Sequence, residues 1–147
     1  MMNHTWRVLA ASTAIFFAGF SIGGVLRPAA VAHAQTDNRV FELRTYTAAE
    51  GKLGELQARF RNHTIRIFNR HGMTSIGYWV PQDAPLSQST LIYILAHASR
   101  EAAAKSWADF QADPEWQKVV AESQVNGKLA AKVESVFMEP ADYSPIK

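Results

Sequence analysis

Apolar residues recur along this chain with two different periods, and the order of these periods restricts the fold more than any other property of the sequence. Val40–Thr47 alternates between apolar and polar residues, which is typical of a strand. The following segments indicate a helix that ends near His71, then two strands, two helices and a last strand, over residues 73–80, 90–97, 100–111, 113–124 and 132–138. The β-α-β-β-α-β order predicts an α+β, ferredoxin-like fold, with a four-stranded antiparallel sheet and its helices on one face.

Residues that favour helix ends mark the predicted helix boundaries. Thr47–Glu50 fits the S/T-x-x-E capping box and predicts the start of the first helix. Gly72 follows that helix in the position where a glycine commonly takes a positive φ. Ser99 is suited to the N-cap of the second helix, and Asp113 followed by Pro114 is suited to the start of the third.

The first predicted strand has two different faces. Phe41, Leu43 and Thr45 point to one side, whereas Arg44 and Tyr46 point to the other. We expect Arg44 and Tyr46, with their neighbours on the other strands, to line the sheet face that no helix covers. A continuous apolar and aromatic face seldom stays exposed, so the sequence predicts that two sheets pair face to face in a twofold homodimer.

Residues 1–34 have the pattern of an export signal. Arg7 precedes an uncharged segment of 19 residues, Val8–Leu26, and an A-x-A motif ends at Ala34. A basic start, an apolar middle and a small-residue motif are the three parts of a secretory signal peptide. The pattern predicts cleavage between Ala34 and Gln35.

An uncleaved signal anchor is the alternative interpretation of the same segment. Residues 8–26, as a helix, would span roughly 28 Å, close to the thickness of the hydrocarbon layer. Both interpretations predict a protein exported to the periplasm or beyond, tethered to the membrane only if residues 8–26 are retained. Residues 35–39 would be a short linker, and residues 40–147 the folded domain.

The composition excludes several classes of site. The chain contains no cysteine, which excludes disulfides, thiol nucleophiles and cysteine-ligated metals. Removal of residues 1–34 takes away Arg7 and Arg27 and leaves 13 basic and 13 acidic residues, so we expect no nucleic-acid partner. No phosphate-binding loop, dinucleotide-binding motif, nucleophile elbow or zincin motif is present, and we expect no cofactor.

Five short blocks, in order, resemble the NIPSNAP family: Glu42–Tyr46, Arg70–Met73, Gly77–Trp79, Asp113–Trp116 and the stretch from Val133 to Ser144. The resemblance covers about residues 39–145. It implies a NIPSNAP-like domain over residues 40–147 and a dimeric α/β barrel, and it brings no agreed catalytic residues. Related barrels outside the family include cofactor-independent monooxygenases and isomerases.

Three histidines follow the signal segment, and their spacing argues against a metal site. His63 and His71 lie eight residues apart in one predicted helix, roughly 12 Å along its axis, so they cannot share a metal ion. We interpret His71 as a residue that caps the helix end. His97, at the end of a strand, is the first candidate for a general base or a haem ligand, and His63 is the second candidate base.

Arginine and aromatic residues are the candidate ligand-binding groups. Arg44 beside Glu42 reads first as an interstrand ion pair or a dimer contact, and otherwise as a carboxylate-binding group assisted by Tyr46 and Tyr78. The tryptophans read first as core or interface residues, and otherwise as the lining of an aromatic pocket. On that second interpretation Trp79 and Trp107 would contact the ligand.

Three functions are compatible with this sequence. The first is an exported homodimeric module that binds a small apolar or aromatic molecule or a protein. The second is a cofactor-independent monooxygenase or isomerase with His97 or His63 as its base. The third is a dimer with a purely structural role. A pocket with a titratable group favours the enzyme, an aromatic pocket without one favours the binding module, and no pocket favours the structural role.

Overall fold

The computed structural model describes residues 39–147. The predicted signal segment, its cleavage between Ala34 and Gln35, and most of the linker lie outside the described residues. Within residues 39–147, no helix has both the length and the apolar character needed to cross a membrane.

Four strands and four α-helices form the described domain. The strands are β1 (Val40–Ala48), β2 (Thr74–Trp79), β3 (Thr90–His97) and β4 (Ala130–Met138). The helices are α1 (Leu53–Arg59), α2 (Ile65–Arg70), α3 (Arg100–Ala112) and α4 (Pro114–Ser123). A π-helical turn, Phe60–Thr64, joins α1 to α2, and a short 3-10 helix, Leu86–Gln88, precedes β3.

The sheet has the order β2-β3-β1-β4, and every neighbouring pair is antiparallel. The helices cover one face, as aromatic contacts show: the ring of Tyr46 on β1 lies 5.6 Å from that of Phe60, between centroids. The α+β, ferredoxin-like fold predicted from the order of periods is therefore confirmed.

The predicted capping box at Thr47–Glu50 is wrong. Thr47 and Ala48 still belong to β1, where Thr47 lies opposite Thr90. The helix begins only at Leu53, and its N-cap, Lys52, makes no side-chain capping hydrogen bond. Strand pairing on both sides holds the backbone of Thr47 extended, so its side chain cannot cap the helix.

The other predicted N-caps are confirmed. The Ser99 hydroxyl accepts a hydrogen bond from the backbone N–H of Ala102, at 3.1 Å. Asp113 Oδ1 accepts bonds from the N–H groups of Glu115 and Trp116, at 2.8 and 3.3 Å. These bonds satisfy donors that the first turn of a helix leaves unpaired, and they fix the break between α3 and α4.

Gly72 takes a φ of +74° directly after α2, as the sequence predicts. Its missing Cβ would meet only the hydroxyl of Ser106, at an ordinary 3.7 Å, so the backbone angle alone requires glycine here. We expect Gly72→Val to lower the free energy of unfolding by about 1 kcal/mol or more, because a β-branched residue is strained at positive φ. Urea denaturation measures this. Gly54→Ala, in open space within α1, should cause no loss, and an equal loss in both variants would contradict the argument.

The core lies between the helices and the sheet and is rich in aromatic residues. Phe68 is 1% exposed and packs within 6.1 Å, between ring centroids, of Phe60, Tyr93, Trp107 and Phe110. Edge-to-face and tilted contacts of this kind stabilise a core beyond the area they bury. The first interpretation of Trp107, as a core residue, agrees with this packing.

The two faces of β1 are the reverse of the prediction. Arg44 and Tyr46 point toward the helices, because the Arg44 guanidinium lies 4.2 Å from the centre of the Trp107 ring. Leu43, paired with Ile94 and Val136, lies on the face without helices. The apolar–polar alternation of β1 does not reveal which face of the strand the helices cover. Long polar side chains can bury their apolar stems, and their charges can be paired inside the fold.

Candidate functional site

Glu42 is the centre of a buried polar cluster beneath α3. It is 1% exposed, and its two carboxylate oxygens accept hydrogen bonds from Arg44 Nη1 at 2.7 Å, Trp107 Nε1 at 2.7 Å and Ser135 Oγ at 2.6 Å. His97 Nε2 lies 3.1 Å away, as a fourth partner. Burial alone would raise the pKa of Glu42, but these four partners outweigh it and lower the pKa to about 2.

Arg44 forms an ion pair within its own strand. Its partner is Glu42, on the same face of β1, and the pair is covered by Trp107 rather than placed on the helix-free face. The sequence predicts this ion pair between strands, whereas the structure forms it within β1, away from the face expected to pair in a dimer. Burial lowers the pKa of Arg44, but the nearby hydroxyls of Tyr93 and Tyr46 and the carboxylate of Glu42 outweigh this and raise it.

His97 does not open onto a loop, although it ends its strand. It is 2% exposed, between Glu42 and the ring of Phe137, whose centroid is 6.1 Å from its own. Its Nδ1 has no hydrogen-bond partner among the described residues. As a general base it would need a path to substrate, and the buried contact with Glu42 instead makes His97 a structural partner of the cluster.

The tyrosines proposed from sequence lie around a third one. The rings of Tyr46 and Tyr78 each lie 5.4 Å, between centroids, from that of Tyr93. Tyr93 is fully buried, and its hydroxyl has no hydrogen-bond partner within residues 39–147. Burial raises the pKa of Tyr93 well above its ordinary value. Tyr46 and Tyr93 pack into the core, whereas Tyr78 also borders, with Phe60, a small groove of about 210 Å³.

Trp79 is separated from the other candidate ligand-binding residues. It is opposite Ile92 on the helix-free face, 49% exposed, and its ring lies over Gly77. Arg44, Tyr46, Tyr78 and Trp107 are all on the opposite side of the sheet. The structure thus brings four of the five candidates together and leaves Trp79 apart.

A separate groove lies between α1, α4 and the loop before β4. It encloses about 370 Å³. Its apolar lining consists of Ala58, Val119, Val125 and Leu129, and its polar lining of Glu55, Arg59, Asn62, His63, Glu122, Ser123 and Asn126. We call it the Arg59 groove. His63, the second candidate base, belongs to it.

Arg59 is the distinctive group of this groove. It is 8% exposed, and its guanidinium lies 5.2 Å from the centre of the Trp116 ring. Nη1 donates a long bond of 3.4 Å to Ser123 Oγ, whereas Nε has no partner in the described part of the chain. No carboxylate of residues 39–147 forms a salt bridge with Arg59. Burial lowers its pKa below the ordinary value.

Sequence reasoning missed Arg59 because nothing in its local pattern separates it from other helical arginines. The π-helical turn Phe60–Thr64 begins directly after it, and Thr64 Oγ1 donates a hydrogen bond to the Arg59 carbonyl, at 3.3 Å. Such turns are frequent at functional sites. The wide turn was not detectable, since the apolar residues around it keep an ordinary helical spacing.

His71 lies at the end of α2, as predicted for a capping residue. It is the C-cap of that helix, and its Nε2 lies 2.6 Å from Asp113 Oδ2. Arg70 donates to the same oxygen, at 2.5 Å, so this network ties α2 to the start of α4. Within the described residues, no group of three or more histidines, aspartates or glutamates is arranged to hold a metal ion.

Comparison with known proteins places this geometry in a family. The family model for NIPSNAP matches residues 41–145. No curated protein matches the chain. Among solved structures, a NIPSNAP family protein of Agrobacterium tumefaciens is 28% identical, with a TM-score of 0.65 over 74% of this chain and 99% of that chain.

Two further structures share the fold. A NIPSNAP-like domain protein of Burkholderia xenovorans is 23% identical, with a TM-score of 0.64 over 74% of this chain and 90% of that chain. SnoaB, a cofactor-independent oxygenase of Streptomyces nogalater, is 14% identical, with a TM-score of 0.50 over 74% and 98% of the two chains, a likeness of fold alone. The family match spans nearly all of the described domain, and the chain belongs to the NIPSNAP family.

Proposed function

We propose that this protein is an exported homodimeric binding module that takes a small molecule into the Arg59 groove of each protomer. One observation carries the proposal: a buried arginine in the wall of a groove has no acidic partner among residues 39–147. An uncompensated buried charge is costly, and proteins retain one where a ligand supplies the opposite charge.

The size and lining of the groove support a small-molecule ligand. About 370 Å³ falls at the lower end of the range found for ligand sites, about 300–1,000 Å³. Leu129, which is 1% exposed, and Val119 supply buried apolar surface beside the polar group of Arg59. Four of the eleven lining residues are apolar, so the groove offers apolar contacts together with several polar groups.

The helix-free face of the sheet supports the dimer. Leu43, Ile92 and Ile94 are only partly buried on it, and Val136 is 56% exposed. An apolar cavity of about 300 Å³ lies on the same face, against the C-terminal tail. A second copy placed face to face would cover these residues, because in a twofold dimer the same surface patch of both subunits forms the interface.

We expect Ile94→Asp to convert the dimer to a monomer, because it buries an unpaired carboxylate in each half of the interface. Sedimentation equilibrium of the full chain measures the mass. Val125→Asp is the matched control, since Val125 is 76% exposed in the loop after α4 and belongs to no strand of the sheet. A dimer that survives Ile94→Asp, or a monomeric unsubstituted protein, would reject the face-to-face arrangement.

The groove itself is tested by ligand titration. Amide NMR spectra of the full chain are recorded with a set of small apolar and aromatic fragments, and we expect shifts to cluster at Asn62, Ser123 and Leu129. Ala58→Trp should fill the groove and abolish these shifts, whereas Ala108→Trp, at an exposed position of α3, should preserve them. The proposed function would be rejected if no fragment caused shifts at these residues, or if the shifts persisted in the Ala58→Trp variant.

One observation favours an enzyme as the second candidate. His63 lines the same groove as Arg59, four residues further along the chain, so a base and a cation could act on one acidic substrate. His63→Ala separates the two functions. A binding module keeps its ligand unchanged in this variant, whereas an isomerase or monooxygenase binds its substrate and no longer converts it.

A further inference from the structure

We infer that the ligand of the Arg59 groove is a small monocarboxylate with a short apolar body, and that Arg59 binds its carboxylate. The inference rests on the proposed function and names the chemical class of the ligand. Three properties of the groove support it: its charges, the orientation of the guanidinium and the position of the apolar wall.

The charge of the groove suits one negative charge. Its two glutamates are each held by a neighbouring lysine: Glu55 accepts from Lys52 at 2.8 Å, and Glu122 lies 3.8 Å from Lys118. Arg59 has no such partner among the described residues, so its charge is the one in the groove wall without an adjacent counter-charge. A dianion such as phosphate would bring two negative charges close to both glutamates, whereas a monocarboxylate brings only one.

The orientation of Arg59 suits a carboxylate. Trp116 lies against the guanidinium, 5.2 Å from its central carbon to the ring centre, and Nε is buried, so a ligand would have to approach through the two Nη groups. Ser123 Oγ accepts from Nη1 and itself donates to the carbonyl of Val120, at 3.3 Å, which positions the guanidinium without neutralising it. A planar guanidinium fork matches the two oxygens of a carboxylate.

The apolar wall limits the rest of the ligand. Val119 and Leu129 are buried, Ala58 is partly buried, and Val125 at the rim is 76% exposed. A body of a few carbons or a single ring would bury Val125 and contact the other three residues. Asn62 and Asn126 are exposed at the same groove, so a polar end of the ligand could remain in water there.

The experiment compares matched acids and primary amides on the full chain. The probes are hexanoate and hexanamide, phenylacetate and phenylacetamide, and 3-phenylpropionate and 3-phenylpropanamide, titrated by amide NMR at pH 7. A hydrogen-bonded charge pair predicts that at least one acid binds about 10- to 100-fold tighter than its amide. The resonances that shift should belong to groove residues.

Arg59→Met removes the charge and keeps the apolar stem. We expect it to lower the affinity for the acid to that of the amide and to leave the amide affinity within about threefold. Arg59→Lys, which keeps the charge without the fork, should retain part of the preference. Arg61→Met is the matched control: this exposed arginine of the same helical segment lies outside the groove, and its loss should change neither affinity.

The outcomes separate the inference from the proposed function. Acids and amides that bind the groove equally well, or a preference that survives Arg59→Met, would overturn the carboxylate and leave the binding module intact. Binding of the amides, but not of the acids, in the groove would also overturn the carboxylate inference. If no probe shifts the groove resonances, the carboxylate inference is rejected. The proposed function is then decided separately, by the titration with the wider fragment set and by Ala58→Trp.

Discussion

Replacement of Glu42 by alanine should lower the free energy of unfolding by about 3–5 kcal/mol. Glu42 is 1% exposed and is the shared acceptor of Arg44, Trp107 and Ser135, with His97 at 3.1 Å. Its loss would leave a partly buried guanidinium without its counter-charge and the partly buried hydrogen bonds of Trp107 and Ser135 without their acceptor. Each donor left in that state costs about 1–3 kcal/mol, less what water recovers.

Urea denaturation of the full chain measures this loss. Glu42→Gln should lose less, because the amide oxygen still accepts while the charge is gone. Asp109→Ala is the control: this aspartate is exposed on α3 and pairs only with Lys105, so its loss should stay within about 0.5 kcal/mol. A Glu42→Ala protein within about 1 kcal/mol of the unsubstituted one would show that the cluster contributes little.

The same variant makes a prediction about pH. The pKa of Glu42 is lowered in the fold from 4.5 to about 2, so the folded state favours the charged form. Its contribution is complete above about pH 5 and is lost as the pH falls toward about 2, since protonation then occurs in both states. The difference in stability between Glu42→Ala and the unsubstituted protein should therefore shrink over that interval. A constant difference would mean that the charge of Glu42 is not what stabilises the cluster.

The order of elements could be predicted because each depends on local chemistry. The apolar run of β3 and the N-caps Ser99 and Asp113 are short-range signals, and the structure agrees with them. The capping box at Thr47 is equally local, but it failed because β1 is paired on both sides and keeps this residue in the sheet. A local signal was overruled by long-range pairing.

The orientation of β1 could not be predicted, because it depends on pairings between distant residues. Judged from β1 alone, Glu42 and Arg44 resemble surface residues. The hydrogen-bond donors to Glu42, Trp107 and Ser135, lie 65 and 93 positions away in the chain. A buried charge is tolerated when it is paired and hydrogen-bonded, and no property of β1 alone reveals those partners. The face prediction was wrong for that reason, although the ion pair itself was predicted.

The Arg59 groove was beyond the reach of the sequence for a different reason. Arg59 and Ser123 are 64 positions apart, and neither belongs to a recognisable motif. Its distinguishing property is the absence of a carboxylate partner within residues 39–147, which only the fold can display. His63 was singled out for its chemistry alone, and the fold places it in the same groove.

Arg44 and Arg59 form a natural comparison from which the last prediction follows. Arg44 is partly buried and Arg59 is buried, each against a tryptophan ring, at 4.2 and 5.2 Å, but only Arg44 has a carboxylate partner. Arg44→Met should therefore lower the free energy of unfolding by about 3–5 kcal/mol, because it strands the charge of Glu42. Arg59→Met should instead raise it, by about 1–2 kcal/mol, because a desolvated charge is removed at the loss of one weak bond and one ring contact.

Thermal and urea denaturation of the two ligand-free variants, side by side, test this difference in sign. Destabilisation by Arg59→Met as large as that by Arg44→Met would mean that Arg59 is a structural residue, and the case for a ligand in its groove would fail. Stabilisation would mean that the fold maintains Arg59 at a cost. A group kept at the expense of stability is best explained by what it binds, since selection for the fold alone would have replaced it.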